Sequence, residues 1–553
     1  MVTYKTPGVY PEEISTLPPS VAEVSTAIPA FIGCTQIGPK IDANGNVVPV
    51  VARINTMLEF QAQFGEPYAS SFTVSTQPVP GVTNGKTIQS LQRVTPAFDF
   101  LLYYSLSMYF KNGGGRCYIV SIGDYSAAPT KGQFLAGLQA LEKEDEPTLI
   151  VLTDAVNLAP DDYYEICQQV LADCETMRDR FAIFDVLNTP DGVQSFRNGI
   201  GINYLSYGAA YYPYIQTTLN YAFQESLISI TVSNRLFQKA YGTKGISVRY
   251  QGSATDAPKV AIVAGGAEAP ITFTIASNTL TINTDDTKTG VDVAAAWTAA
   301  SGGQSSGFVI VPNGDGSAPL KAAAAAALDV SSQPDVTLAA LKSTDTSLYN
   351  QIKAALALQR VVLPPSGAVA GLYAATDRQR GVWKAPANVS LAATIGPVVK
   401  ITNNDQEDLN VDTTAGKSIN AIRAFTGKGT LVWGARTLAG NDNEWRYVPV
   451  RRLFLMIEES TQKATSFAVF EPNDATTWLK VKAMIESFLF GLWEQGALAG
   501  STAEAAYYVH VGLGKTMTAQ DILEGRIIVE IGIAAVRPAE FIILRFSHRL
   551  QQA

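Results

Sequence analysis

The stretch TLIVLTDAVNLAPDDYYEICQQVLADCETMRDRFAIFDVL, residues 148–187, decides the class of fold. It begins and ends with short continuous apolar runs, residues 148–155 and 180–187, which are typical of parallel strands buried on both faces. The residues between them, 161–178, read as a helix. A strand, a helix and a second strand in this order predict an α/β arrangement, and with the β-rich segments further along the chain they predict a mixed α/β (α+β) protein.

The preceding segment extends the same pattern toward the N-terminus. TPAFDFLLYYSLSMYFKNGGG predicts a helix that begins at Thr95 as N-cap, with Pro96 in its first turn, and that stops at Asn112 and Gly113. RCYIVSIG follows and predicts another strand. The α/β region therefore begins near residue 95.

Composition limits the classes of function. A length of 553 residues suggests roughly three or four domains. The apolar share of 47% is sufficient for a core, whereas the charged share of 16% lies below the usual value of about 25%. A net charge of −8 argues against a nucleic-acid partner. No apolar run of membrane-spanning length and no secretion signal are visible, so we expect no membrane insertion, and synthesis and assembly in a cytoplasm.

Cysteine and histidine are scarce, which argues against metal and cofactor chemistry. None of the four cysteines has C-x-x-C spacing, and we expect buried free thiols. They are Cys34, Cys117, Cys167 and Cys174. The only histidines are His510 and His548. These residues therefore argue against a histidine-based zinc site and a Ser-His-Asp triad, and from them we predict no catalytic residue, no metal ligand and no cofactor.

Two carboxylates nevertheless occupy positions where α/β proteins place ligands. Asp154 and Asp185 end the two apolar strands, and open α/β sheets bind ligands at that edge. One interpretation is a metal or acid–base pair in an α/β metal-dependent enzyme. The other is that each aspartate caps a turn or a helix. Both interpretations remain open at this point.

Two glycine-rich segments resemble phosphate-binding loops and fail the pattern. GLGKT, residues 512–516, would need glycine at Val509, and AGKS, residues 415–418, would need it at Val411. Nucleotide binding is therefore not predicted.

Residues 252–347 differ from the rest in being rich in Ala, Gly, Ser and Thr. APITFTIASNTLTINTDD predicts a β-hairpin that turns at Ser277 and Asn278. KAAAAAALD, residues 321–329, predicts a short helix. We interpret this segment as a β-rich surface insertion.

The two ends of the chain are rich in strand-forming residues. Residues 1–22 predict an extended arm, because their prolines forbid a helix. Residues 527–533 and 541–546 predict two strands of a hairpin, joined by a turn at Arg537 and Pro538. A lone hairpin leaves edge groups open, and strand addition between copies would satisfy them. Alternatively, the arm pairs with its own core or stays disordered.

Several motifs in these regions carry a family resemblance. They are TPGVYPEE near the start and, further on, RGVWKAPAN, WGARTL, EWRYVPVRRL, FEPND and GLWEQGAL. With them the chain resembles the sheath proteins of contractile phage tails and phage-like injection devices, including R-type bacteriocins. The resemblance implies a multidomain subunit whose core is built from N- and C-terminal segments, with inserted outer domains. It also implies a structural protein, not an enzyme.

The resemblance implies a domain order and a mechanism. The domains would be a linking arm (1–22), an α/β part of the body (23–251), an inserted outer domain (252–347), a return to the body with the C-terminal core (348–526), and a hairpin with a linking arm (527–553). Subunits would polymerise as stacked hexameric rings around an inner tube protein. Their contraction would drive the tube through a target envelope. Baseplate and tail-terminator or cap proteins would be further partners, in a virion tail or a released phage-like particle.

Two sets of residues follow from the motifs. The expected inter-subunit strand joint consists of Tyr4, Val9, Tyr10, Ile14, Ile527, Val529, Ile531, Ile533, Phe541, Ile543, Leu544 and Phe546. The core-motif residues are Trp383, Trp445, Arg446, Arg451, Arg452, Glu471, Asn473 and Trp493. A surface-layer or adhesin protein is a further alternative, against which the missing signal argues. Phage, bacteriocin and injection system are not distinguished.

Overall fold

The computed structural model describes residues 21–43, 45, 47–78, 86–232, 236–250, 257–266, 268–300, 306–331 and 336–544. The expected joint residues Tyr4, Val9, Tyr10, Ile14 and Phe546 lie outside the described residues. The chain divides into two compact units. The first unit comprises the residues up to Tyr68, then Ala97–Leu219 and everything from Arg360 onward, and the second comprises Ala69–Pro96 and Asn220–Gln359.

The strands of the described residues are numbered in chain order. They are β1 (Pro29–Cys34), β2 (Val50–Ile54), β3 (Phe72–Pro78), β4 (Lys86–Arg93), β5 (Cys117–Gly123), β6 (Leu149–Leu152), β7 (Phe181–Asp185), β8 (Gly208–Tyr212), β9 (Ile215–Asn220), β10 (Ile228–Val232), β11 (Leu236–Tyr241), β12 (Ile246–Tyr250), β13 (Lys259–Gly265), β14 (Thr272–Ala276), β15 (Thr279–Asp285), β16 (Phe308–Pro312), β17 (Ala323–Ala327), β18 (Asp329–Ser331), β19 (Val336–Thr337), β20 (Arg360–Leu363), β21 (Val389–Ser390), β22 (Thr394–Pro397), β23 (Asn420–Phe425), β24 (Gly429–Trp433), β25 (Tyr507–Val511) and β26 (Val529–Ile533).

The α-helices are numbered in the same way. They are α1 (Met57–Phe64), α2 (Leu102–Lys111), α3 (Lys131–Leu141), α4 (Pro160–Met177), α5 (Gly192–Gly199), α6 (Gly290–Ala299), α7 (Leu338–Thr344), α8 (Thr346–Leu356), α9 (Ser366–Arg380), α10 (Asn403–Asn410), α11 (Val448–Thr465), α12 (Ala475–Glu494), α13 (Ala503–Ala506) and α14 (Ala519–Leu523).

The first unit contains a nine-stranded sheet in the order β2-β5-β1-β6-β7-β8-β23-β24-β21. Its six central strands, from β5 to β23, run parallel, and β2 on one side and β24 on the other run antiparallel to them. The edge strand β21 pairs antiparallel with β24. The two apolar runs of residues 148–187 form the neighbouring buried strands β6 and β7, with α4 between them. The predicted mixed α/β fold class is confirmed.

The helix predicted to begin at Thr95 begins later. The structure places its N-terminus at Leu102, so the prediction was wrong at that boundary. The reason is that its cap is not local. Asp154, which follows β6, accepts hydrogen bonds from the backbone N–H groups of Leu101 and Leu102. A carboxylate from another strand therefore decides where the helix starts.

The C-terminal part of the first unit packs α11 and α12 against a separate two-stranded sheet, β25–β26. The two strands are antiparallel, with Tyr507 opposite Ile533 and Val511 opposite Val529. The predicted hairpin between residues 527–533 and 541–546 is therefore wrong over the described residues. β26 packs a half-buried apolar face against the helices, and residues 541–544 form no strand.

The second unit contains three four-stranded sheets, β19-β10-β3-β4, β16-β12-β11-β18 and β14-β15-β13-β17. The predicted segment 252–347 lies within this unit. Its hairpin β14–β15 is confirmed, and Ser277 and Asn278 both have positive φ, 48° and 58°, as a tight hairpin turn requires.

The predicted alanine helix is wrong. Ala323–Ala327 forms β17, which pairs antiparallel with β13. Alanine favours helices by less than 1 kcal/mol over most residues. Backbone pairing with β13 therefore overrides this weak local preference.

Candidate interaction site at the C-terminal sheet

The two strand-end aspartates are helix caps. Asp154 is fully buried, and its carboxylate accepts from the backbone N–H of Cys34 at 2.7 Å, Leu101 at 2.6 Å and Leu102 at 3.0 Å. Asp185 accepts from the backbone N–H of Ser366 at 2.8 Å, at the start of α9. The capping interpretation is confirmed for both residues.

Burial also governs the ionisation of these two groups. It raises the pKa of Asp154 and of Asp185 to about 7, against the opposing effect of the N–H donors. Across the described residues, no three His, Cys, Asp or Glu side chains lie close enough together to hold a metal ion. The carboxylates accept from backbone N–H groups at the end of β1 and at the starts of α2 and α9.

The β25–β26 sheet is packed on one face and has no further strand at its edges among the described residues. Val529, Ile531 and Ile533 alternate along β26 and share one face, which packs against the α11–α12 cluster. Within the described part of the chain, no third strand joins either edge of this sheet. Its outer N–H and C=O groups are therefore available for pairing.

An apolar groove of about 870 Å³ runs along this face, and we call it the C-terminal groove. Phe454 and Ile457 of α11 form one wall, and Val481 and Ile485 of α12 contribute another. The third wall consists of expected joint residues. These are Ile527, Val529, Ile531 and Ile533. The structure therefore brings four residues of the expected joint together.

The loop between α11 and α12 forms the rim of the C-terminal groove. Phe470 is fully exposed and has a φ of 69°, a left-handed conformation that is uncommon for an aromatic residue. Glu471 and Asn473 of the core motif lie in the same loop, and the Asn473 side-chain oxygen accepts from Trp478 Nε1 at 2.7 Å. Sequence reasoning did not single out Phe470, although it belongs to the quoted FEPND motif.

Beyond the sheet, four consecutive apolar side chains face solvent. Phe541, Ile542, Ile543 and Leu544 are between 71% and 81% exposed, and we call residues 541–544 the apolar arm. Phe541, Ile543 and Leu544 were expected joint residues, whereas Ile542 was not among them. Contiguous exposed apolar residues are characteristic of surfaces that bind a partner.

The paired arginines of α11 are buried in the body. The guanidinium of Arg451 lies over the rings of Tyr207 at 4.0 Å and Trp445 at 4.5 Å. Trp445 in turn packs edge-on against Phe454, with ring centroids 5.0 Å apart. These core-motif residues hold the start of α11 against the body.

Arg452 fixes the N-terminal segment to the same helix. It forms a buried ion pair with Asp377 of α9 and donates to the Thr26 carbonyl oxygen at 2.7 Å. The Thr26 hydroxyl donates to Asp377 at 2.6 Å, and the Val24 N–H donates to the Ser460 hydroxyl at 3.1 Å. Residues 24–26 are therefore attached to α9 and α11.

The remaining core-motif residues make local contacts. Trp493 Nε1 donates to the Gly500 carbonyl oxygen at 3.0 Å, and Arg446 donates to the Asn443 side-chain oxygen at 3.0 Å. Trp383 packs against the α11–α12 cluster. These contacts stabilise the C-terminal core. In the part of the chain that the structure covers, no helix is both long and apolar enough to cross a membrane.

A family model described as the phage tail sheath C-terminal domain matches residues 440–549, which include the groove and the apolar arm. The chain is 27% identical over 136 residues to the tail sheath protein of Vibrio phage KVP40, a match covering 25% of this chain and 20% of that protein. A putative prophage major tail sheath protein of Pseudomonas aeruginosa is 26% identical over 181 residues, or 32% and 44% of the two chains. The matched part spans less than half the length of these relatives.

Solved structures extend the similarity to the full chain. A chain of the extracellular contractile injection system PVC sheath complex, in the contracted state, is 27% identical with a TM-score of 0.55, covering 100% of this chain and 99% of that one. A chain of the contracted helical sheath of the anti-feeding prophage is 27% identical with a TM-score of 0.53, covering 99% of each. The fold is thus that of contractile sheath subunits. The expected resemblance to contractile tail sheath proteins is therefore confirmed.

Proposed function

We propose that the protein is the structural subunit of a contractile tail sheath. It polymerises as stacked hexameric rings around an inner tube, and its contraction drives the tube through a target envelope. The observation that carries this proposal is the unfinished C-terminal region, where an open-edged sheet, an apolar groove and an exposed apolar arm occur together. Each of these features is completed by contact with another copy.

The proposed joint works by strand addition. Residues 541–544 of one subunit and the N-terminal arm of another pair with the edges of a neighbour's β25–β26 sheet, as the family resemblance implies. Each hydrogen bond contributes about 0.5–1.5 kcal/mol, so an added strand contributes a few kcal/mol besides the burial of its apolar side chains. Such joints hold subunits together while their bodies rotate.

The proposed mechanism consumes no fuel. Better packing between subunits supplies the free energy of contraction, and the protein acts without a nucleotide, a metal or catalytic residues. The partners follow the resemblance: the protein itself, an inner tube protein, baseplate proteins and a tail-terminator or cap protein, with no nucleic acid and no membrane insertion. We place assembly in the bacterial cytoplasm and the product in a virion tail or a released phage-like particle. Residues 252–347 serve as an outer decoration.

A charge in the apolar arm tests the proposal. The wild-type chain, expressed alone, should form striated hollow tubes in negative-stain electron micrographs. Ile543→Asp should leave the fold intact, because the side chain is 78% exposed, and should abolish the tubes. The matched control is Ile202→Asp, which makes the same change at another exposed isoleucine of the first unit, 82% exposed. Tubes of normal length from Ile543→Asp, or loss of tubes in both variants, would contradict the assigned joint.

A further inference from the structure

The apolar arm leaves the body at a defined point. Before it, Val536 donates its backbone N–H to the Ala497 carbonyl oxygen at 3.3 Å, and Arg537 donates to the Asn443 carbonyl oxygen at 2.7 Å. Among the residues described up to position 544, Glu540 is the last one held by a side-chain contact, and the exposed residues begin immediately after it. The chain therefore changes from bound to the body at Glu540 to exposed at Phe541.

The carboxylate of Glu540 has four donors around it. Arg436 approaches in a two-point arrangement, with Nε 2.8 Å from Oε1 and Nη2 2.5 Å from Oε2. The Tyr447 hydroxyl donates to Oε2 at 3.3 Å, and the Asn410 amide lies 3.5 Å from Oε1. The Arg436 side chain is 5% exposed and that of Glu540 is 22% exposed. The ion pair is therefore largely removed from water.

Arg436 is itself held rigidly by the body. Its Nη1 donates to the Asn410 carbonyl oxygen at 3.0 Å. Its backbone N–H donates to the side-chain oxygen of Asn420, whose amide donates back to the Arg436 carbonyl oxygen, both at 2.8 Å. Asn420 is the first residue of β23 in the nine-stranded sheet. A chain of hydrogen bonds thus connects the nine-stranded sheet to Glu540, the residue that precedes the apolar arm.

We propose that Arg436 and Glu540 are positioning residues that fix the point and direction in which the apolar arm leaves the body. A planar guanidinium binding a carboxylate at two points fixes orientation as well as position. The proposal rests on the proposed sheath function, since the fixed root matters only when the arm docks on a neighbour. The Arg436–Glu540 pair thus fixes to its own subunit the arm that links it to a neighbouring subunit.

The geometry gives an expected size for the effect. With Glu540 in place, the first arm residue follows the anchor by one position, whereas without it the nearest side-chain anchor is Arg537, four positions away. Effective concentration falls roughly as the −3/2 power of linker length, so releasing Glu540 lowers it about eightfold. The critical concentration for tube formation should rise by about that factor.

The experiment compares Glu540→Ala with Glu146→Ala. Glu146 is a matched control, because it also binds an arginine and a tyrosine hydroxyl, Arg53 at 3.3 Å and Tyr118 at 2.9 Å, and it lies beside β2 and β5. Glu540→Gln keeps the shape of the side chain and should give a smaller change, which covers the case in which the alanine variant folds poorly. Critical concentrations are measured by pelleting, with electron microscopy of the pellets.

A spin label on the apolar arm measures directly how mobile the arm is in the unassembled subunit. All four native cysteines are buried, so Ile542→Cys provides a selective attachment point. We expect Glu540→Ala to increase the mobility of the label, and Glu146→Ala to leave it unchanged. Unchanged mobility in Glu540→Ala would overturn the anchor. Increased mobility with a wild-type critical concentration would overturn its role in assembly.

The assembly of the wild-type chain distinguishes failure of this inference from failure of the proposed function on which it rests. If the wild-type chain forms no tubes, alone or with its inner tube protein, the sheath proposal fails and the anchor's role fails with it. If wild-type tubes form and Glu540→Ala behaves like Glu146→Ala, only the anchor is wrong.

Discussion

The nine-stranded sheet and the β25–β26 sheet differ in how far their backbone N–H and C=O groups are paired within the chain. In the large sheet, the central strands have neighbours on both sides and all residues of β5, β6 and β7 are buried. In the small sheet, β26 is mostly half-buried and both outer edges lack a third strand among the described residues. The central strands of the large sheet pair on both sides, whereas the small sheet leaves edge N–H and C=O groups without a strand partner among the described residues.

The roles of the carboxylates in the two regions differ in the same way. In the body, Asp154 and Asp185 are enclosed and accept hydrogen bonds from helix N-termini. Near the small sheet, Glu540 holds the chain just before the exposed apolar arm. The carboxylates in the first region complete the fold, and the one near the small sheet holds the start of the proposed linking arm. Stability and assembly should therefore respond to different residues.

Deleting residues 1–15 should give the largest effect and would sharpen this comparison. We expect a folded subunit with a wild-type unfolding midpoint and no long tubes, because one of the two proposed linking strands is gone. Val9→Asp is the milder version, since it places a charge in that strand. Electron microscopy and thermal unfolding are the measurements. Tubes of ordinary length from the deletion would remove the N-terminal arm from the joint.

Asp154→Ala should destabilise the body. Three buried N–H groups lose their acceptor, and each unsatisfied donor costs about 1–3 kcal/mol, so the free energy of unfolding should fall by roughly 3 kcal/mol or more. Urea unfolding measures this change. Asp161→Ala, on an exposed position of α4, is the control and should change little. Equal losses in the two variants would mean that the cap is not needed.

The stability of the body should depend on pH in a defined direction. Burial raises the folded-state pKa of Asp154 and Asp185 to about 7, whereas the unfolded value is about 3.9. The native state therefore keeps protons that the unfolded chain releases between these values, and stability should fall as pH rises from about 5 to 7. Each group contributes up to about 1.4 kcal/mol per pH unit.

Urea unfolding at several pH values tests this dependence. Asp185→Asn, which cannot titrate, should reduce the slope of stability against pH. A slope that is unchanged in the variant, or a wild-type stability that increases toward pH 7, would contradict the assignment.

Phe470→Gly should give the smallest effect on stability and an opposite effect on assembly. Relieving a left-handed conformation should stabilise the subunit by about 1 kcal/mol. Tube formation should weaken if the exposed ring contacts a neighbour. Tyr204→Gly is the control, because Tyr204 also has a positive φ, 56°, and lies away from the C-terminal groove. Stabilisation of both variants with undiminished tube formation would show that Phe470 is not part of the joint.

Local patterns in the sequence predicted a good part of this molecule. The apolar runs in residues 148–187 predicted adjacent parallel strands, because a strand buried on both faces needs no polar alternation. Ser277 and Asn278 predicted a hairpin turn, because Asn in particular tolerates positive φ. The motifs within residues 440–549 predicted the resemblance to sheath proteins, and the sheath C-terminal domain model matches these residues.

Contacts between distant residues decided the rest. The start of α2 depends on Asp154, 52 residues away, and the alanine run became a strand through pairing with β13. The partner of β26 is β25, not the segment that follows the predicted turn at Arg537 and Pro538. The Arg436–Glu540 pair joins residues 104 positions apart, and no local pattern marks it. Propensity and periodicity report only what neighbouring residues favour. The sequence by itself therefore determined the class of fold and the resemblance to sheath proteins, and tertiary structure alone decided which edges and arms were left open.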